Sequence, residues 1–164
     1  MVEITDRDKE IFEFLFRIRY ATANQLCLYL DCSYDVFRKR ISKLIKAKYI
    51  ESESIKGYLK NNVYSNGIEA RKKNERKLYR KKVKMNGWSL LHHLKINDVM
   101  VHFIKGHNID KNTITTDREM YWKKTGILDK KKKMKVPDLV IEKDKKLIAI
   151  EVEESKKSKA KLRS

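Results

Sequence analysis

Residues 33–50, SYDVFRKRISKLIKAKYI, are the stretch whose reading decides the fold. Ser33 suits a helix N-cap, where its hydroxyl can accept a free backbone N–H. Phe37, Ile41, Leu44 and Ile45 follow at i, i+4, i+7 and i+8, the apolar stripe of a helix lying on a core. The opposite face carries Asp35, Arg38, Lys39, Ser42 and Lys46, with Arg40 and Lys43 on the flanks and Tyr34 in the first turn. Cations that neutralise phosphate thus sit beside short polar groups that discriminate base edges, as a helix in the DNA major groove requires. A solvated helix in a Lys-rich chain presents the same face, so the flanking segments have to decide.

The charge of the whole chain sets the first limit. Forty Lys and Arg against 22 Asp and Glu leave +18 at pH 7 over 164 residues. A field of that sign favours polyanions, either nucleic acid or an acidic membrane surface. The uncharged apolar runs are far too short to span a bilayer, and the opening MVEITDRDKE lacks the apolar centre of a signal peptide, so a cytoplasmic location is expected and no membrane partner. Cys27 and Cys32 are the only cysteines, too few for a four-cysteine zinc site; they read as buried thiols at a helix end.

Two helices are expected before Ser33. Thr5 caps the first, with Asp6 and Asp8 in the turn where carboxylates favour the helix dipole. Its apolar set (Ile11, Phe12, Leu15, Phe16, Ile18) is too wide for a surface helix, so this helix should be wedged between others. Thr22 caps the second with Gln25 three positions on, a capping box, and Leu26, Tyr29 and Leu30 form its buried side. Beyond the third helix, residues 49–55 (YIESESI) alternate as a strand does, turn chemistry follows at Lys56-Gly57 and Lys60-Asn61-Asn62, and Val63-Tyr64-Ser65 returns. A hairpin at this point is a wing, whose Lys56, Lys60, Asn61 and Asn62 would meet the DNA backbone or minor groove.

The pattern S-x-x-x-F-x-x-x-I-x-x-L-x-x-x-x-Y-I, followed by V-Y-S-x-G, resembles bacterial winged-helix DNA-binding domains over residues 4–70. The expected organisation is α+β: a winged helix-turn-helix domain in 1–70, a basic linker or helix in 71–87, and a helix with a small, incomplete endonuclease-like sheet in 88–164.

In that last region Leu90, Leu91, Leu94, Val99, Val101, Phe103 and Ile104 belong to an apolar helix ending near Gly106. It carries Asp98 and His102 at i and i+4, a spacing that can bind metal but more often belongs to packing or surface groups. Residues 113–116 read as a short strand, and 136–142 and 147–153 as a hairpin. A turn centred on Asp144-Lys145 sets Asp138 opposite Glu151, with Asp138, Glu151 and Glu153 on one face. This P-D-x-x-x…x-x-x-E-x-E layout resembles the PD-(D/E)xK nuclease core. The resemblance implies Asp138 and Glu151 as Mg²⁺-holding acids. The Lys position holds Glu153, so Lys156 or Lys157 would have to stand in. Only KKSKAKLRS (156–164) remains to complete the core, so a non-catalytic remnant is expected.

Together the winged helix, the linking helix, a T-x-x-x-E segment (115–119) and the P-D-L-V-I-E…I-E-V-E hairpin resemble the replication-relaxation family of plasmids and integrative conjugative elements. The resemblance implies a double-stranded DNA-binding accessory or regulatory protein, serving replication, relaxosome assembly or transcription and partnering a relaxase or replication initiator. Two alternatives stay open: a Mg²⁺-dependent endonuclease or nickase, and a partner-binding scaffold. DNA binding itself calls for no cofactor. A pseudo-palindromic target would imply a homodimer, although no heptad seam is present to build one.

Overall fold

The computed structural model describes residues 2–54, 62–73, 87–120 and 136–153, and it is α+β. Helix α1 (Asp6–Ile18) begins where Thr5 and Asp8 exchange hydrogen bonds: the Thr5 N–H donates to the Asp8 carboxylate at 2.8 Å, and the Asp8 N–H to the Thr5 hydroxyl. Ile11, Phe12, Leu15 and Ile18 of the expected set are buried and Phe16 partly so, while Phe14, outside that set, is fully buried; the helix is packed on more than one side. A two-residue strand β1 (Ala21–Thr22) leads into α2 (Ala23–Leu30), opened by the Thr22–Gln25 capping box. Asp31 in the left-handed region (φ 54) ends it, and Ser33 opens α3 (Tyr34–Lys46) by accepting the Val36 N–H.

Strands β2 (Ile50–Glu53) and β3 (Val63–Asn66) join β1 in an antiparallel sheet of order β1-β3-β2. Phe37 of α3 packs edge-on against Tyr64 of β3, with ring centroids 5.5 Å apart, and this holds the sheet beside that helix. The glycine of the V-Y-S-x-G pattern has a steric reason: a Cβ on Gly67 would lie 2.3 Å from the Lys48 carbonyl oxygen. The Gly67 N–H donates to the Tyr49 carbonyl at 2.7 Å, so strand β3 and helix α4 (Ile68–Lys73) are pinned to the chain just before β2.

Helix α5 (Gly87–Gly106) follows, then a 3₁₀ turn (Lys111–Thr113) and the sheet of β4 (Ile114–Thr116), β5 (Leu139–Lys143) and β6 (Lys146–Ile150) in that order. The β5–β6 turn sits on Asp144 and Lys145, both with positive φ, and Leu139 pairs with Ile150, so continuing the register sets Asp138 across from Glu151 as expected.

A single buried cluster runs from α1, α2 and α3 through Ile96, Met100 and Val101 of α5 to Ile114, Leu139 and Ile141 of the second sheet. The expected boundaries between 1–70, 71–87 and 88–164 therefore cross a continuous core, and residues 74–86 of the linker lie outside the described residues. Polar side chains stitch the same join. Asn97 Nδ2 donates to the Tyr20 carbonyl (2.7 Å), and Gln25 Nε2 to the Leu94 carbonyl (2.8 Å) and the Asp98 carboxylate (2.7 Å). Asp98 is thus engaged by Gln25, which accounts for one half of the Asp98/His102 spacing.

Arg17 does most of the joining. From α1 its guanidinium donates to the Glu119 carboxylate (3.0 Å) and to the carbonyls of Lys111 (3.1 Å) and Ile114. Glu119 in turn accepts the Thr116 N–H (2.9 Å), capping the helical residues 117–120. Removing a guanidinium from such a site strands a carboxylate and two carbonyls. Arg17→Met should cost about 3 kcal/mol or more in chemical denaturation. Gly67→Ala should cost ~2 kcal/mol, since backbone atoms must give way to its methyl. A loss under half a kilocalorie in either variant would contradict these packing arguments.

Candidate nucleic-acid interface

Burying Phe37, Ile41 and Leu44 turns the other side of α3 to solvent. Ser33, Tyr34, Asp35, Arg38, Lys39, Ser42, Lys43 and Lys46 are all exposed. Among the described residues, Arg38, Lys39, Lys43 and Lys46 make no ion pair, so their charge faces outward. The face is graded along its length. Its first turn is mixed, with Asp35 and the exposed Tyr34 (57%) and Val36 (51%); the turns behind are cationic.

Beside that first turn lies an open cleft of about 1070 Å³, lined among others by Asn24, Leu28, Ser33, Tyr34, Asn62 and Tyr64. It places the start of β3 next to the N-terminus of α3. Asn62, exposed, donates to the Ser52 hydroxyl at 3.1 Å across the β2–β3 ribbon. Lys56, Lys60 and Asn61, expected at the ribbon's tip, lie outside the described residues. Cys27 and Cys32 line the same cleft as free thiols. Burial, with the neighbouring Cys32 thiol adding to it, pushes Cys27 up to about 11, so this thiol is protonated at neutral pH and is a poor nucleophile.

Arg40 departs from the expectation of an outward phosphate contact. Its guanidinium turns back to the Asp8 carboxylate, with Nε–Oδ1 at 2.8 Å and a second bond to Oδ2, and donates to the Glu3 carbonyl at 2.6 Å. Asp8 is fully buried at the start of α1, and a buried carboxylate captures the nearest guanidinium. Arg40 therefore fastens α3 to α1 and fixes the angle at which the cationic face is presented. Val36 is the converse. Sequence reasoning passed over it as an apolar residue, yet it stands exposed in the first turn, where an apolar group can meet a thymine methyl. Its position off the Phe37–Ile41–Leu44 stripe was the available signal.

The acidic hairpin is used locally. Asp138 Oδ2 accepts the Val152 N–H at 2.7 Å, and Oδ1 lies 3.4 Å from His92 Nε2 of α5. Val152 falls opposite Pro137 in the continued register, and the Asp138 carboxylate takes its N–H where the described ladder ends. Glu151 and Glu153 are exposed, and Lys156 lies outside the described residues. Among the described residues no three His, Cys, Asp or Glu side chains are grouped to hold a metal ion. No helix in the described residues is long and apolar enough to cross a membrane. Comparison with protein-family models, curated proteins and solved structures gives no match to this chain.

The Asp8 carboxyl has a predictable acid signature. Burial alone would raise its pKa, but the Arg40 guanidinium and the Thr5 hydroxyl and amide outweigh that and hold it below the usual value. A depressed carboxyl contributes stability that is present above its unfolded pKa, near 4, and lost as pH falls through the folded value. Asp8→Asn should flatten that part of the acid limb in a pH series of thermal melts. An unchanged limb would show that Asp8 is not linked to folding.

Proposed function

We propose that the chain is a sequence-specific duplex DNA-binding protein in which residues 4–70 act as a winged helix and α3 is the recognition helix. The observation that carries this reading is the row of outward cations Arg38, Lys39, Lys43 and Lys46, unpaired among the described residues, on the helix that packs against the β2–β3 ribbon. Counterion release from phosphate supplies affinity to such a row, and the mixed turn of Tyr34, Asp35 and Val36 supplies discrimination at base edges. The core beneath the helix and the Arg40–Asp8 pair hold that face rigidly, which lowers the ordering cost of docking.

In this reading the chain serves replication, relaxosome assembly or transcription on a bacterial mobile element, as the resemblance to the replication-relaxation family implies, and a relaxase or replication initiator is its protein partner. The hairpin of Asp138 and Glu151 has a structural part, tying β6 to α5 through His92.

Selection from a random duplex pool, followed by titration of the selected site at several salt concentrations, tests the proposal. The wild type should enrich a defined motif, with the logarithm of affinity falling steeply with that of salt. Lys46→Ala should lower that slope by roughly one, as expected for a lost phosphate contact. Val36→Ala should leave the slope alone and cost about 1 kcal/mol on the selected site only, if a thymine methyl is read there. Arg40→Ala should lower stability before it changes the slope. A pool that enriches nothing, or a slope insensitive to Lys46, would overturn the reading.

A further inference from the structure

The sheet β4-β5-β6 has two edges of opposite character. The Asp117 N–H donates to the Asp138 carbonyl at 3.0 Å, so residues 115 and 117 of the β4 side bond to β5 while Ile114 and Thr116 direct their backbone groups outward. Two of those outward groups are taken, the Ile114 carbonyl by Arg17 and the Thr116 N–H by Glu119, and these two side chains also pair with each other. Side chains thus cover this edge.

At the other edge the same alternation has Leu139, Ile141 and Lys143 bonding to Ile150, Ile148 and Lys146. Leu147 and Ala149 consequently aim their N–H and C=O groups off the sheet, and no backbone group among the described residues bonds to them. Leu147 is 74% exposed and Ile148 48%. An apolar strand with an open hydrogen-bonding edge is a template for strand addition.

We infer that β6 pairs with β6 of a second copy of this chain, antiparallel about a two-fold axis at Ile148, joining two three-stranded sheets into one of six. The argument for a second copy is self-complementarity. A two-fold axis normal to the sheet must oppose residues whose backbone groups both point outward. With the axis at Ile148, Leu147 faces Ala149 of the copy, Lys145 faces Glu151, and Ile148 faces itself; Lys146 lays its aliphatic stem along Ile150. Moving the axis to Ala149 sets Leu147 against Glu151, and moving it to Leu147 sets Lys145 and Lys146 against Ala149 and Ile148. Only the Ile148 register matches apolar with apolar and opposite charges with each other. The inference stands independently of DNA binding.

Each copy carries +18, so the two repel at long range. Added salt screens that repulsion and should tighten the dimer, while it weakens phosphate binding. Sedimentation of the full chain at low and high salt should show a concentration-dependent dimer that strengthens with salt. Leu147→Lys, an exposed change that leaves the thermal melt intact, should weaken it roughly a hundredfold, since the symmetry counts each substitution twice. Ile148→Cys should form an intermolecular disulfide mapped by mass spectrometry to position 148 on both chains, because directly opposed residues at a non-hydrogen-bonded position have Cα atoms about 4.5 Å apart. Leu147→Cys should not cross-link to itself. A monomer at every concentration and salt overturns the inference, as does a dimer indifferent to Leu147→Lys, or cross-linking through position 147 rather than 148.

Discussion

Three helix starts in this chain share one constraint: the residue that closes the cap also holds a distant element. Asp8 caps α1 with Thr5 and grips Arg40 of α3. Gln25 caps α2 with Thr22 and donates to α5 at Leu94 and Asp98. Glu119 caps the residues after β4 with Thr116 and takes Arg17 of α1. At Asp8 and Glu119 the carboxylate offers about four lone-pair sites and the cap fills one or two, leaving the remainder for a cation; the Gln25 amide caps with its oxygen and latches with its NH₂. Because each latch starts from a side chain already fixed by its own helix, little further rotamer entropy is lost when the partner arrives. The elements are therefore tied at their rigid ends, and the core between them is continuous.

Half of the first two latches was legible in the sequence. Thr-x-x-Asp and Thr-x-x-Gln ahead of apolar runs mark helix starts, and the Ser33 cap with the Phe37–Ile41–Leu44 stripe set the inner and outer sides of α3. The hairpin register followed from counting outward from Asp144-Lys145. The other half was not legible, because it depends on which element lies opposite. Nothing near Arg40 in the chain announces Asp8, thirty-two residues earlier, and nothing near Asp138 announces His92. Thr116-x-x-Glu119 had the spacing of a cap, but the short strand before it drew the reading toward a strand end. Lys56, Lys60, Asn61 and Lys156 lie outside the described residues, so the far end of the ribbon adds nothing to the comparison.

The cations of the described residues are sorted by what they face. Arg17, Arg40, Arg71 and Lys111 each reach a carboxylate from another element: Glu119, Asp8, Glu51 and Glu10. Three of the four are arginines, whose planar fork can serve a carboxylate and a backbone carbonyl together, as Arg17, Arg40 and Arg71 do. Three of the four outward cations of α3 are lysines, compact and strongly hydrated charges that cost little to leave in water. Four acids thus sit in the joints between elements, and the excess of cations in the chain leaves a net positive surface.

That surplus works against the compact state, since like charges crowd more closely in the fold than in the open chain. Any polyanion that binds only the folded form removes part of this repulsion and, by mass action, adds to stability. Such binding would couple to folding through charge. The latches make that coupling workable. They are internal and short, and partly shielded from solvent, so salt screens them less than it screens the exposed row on α3. In the proposed reading, ionic strength would therefore change how firmly the surface holds phosphate while the angles between the helices that shape that surface stay as the capping side chains set them.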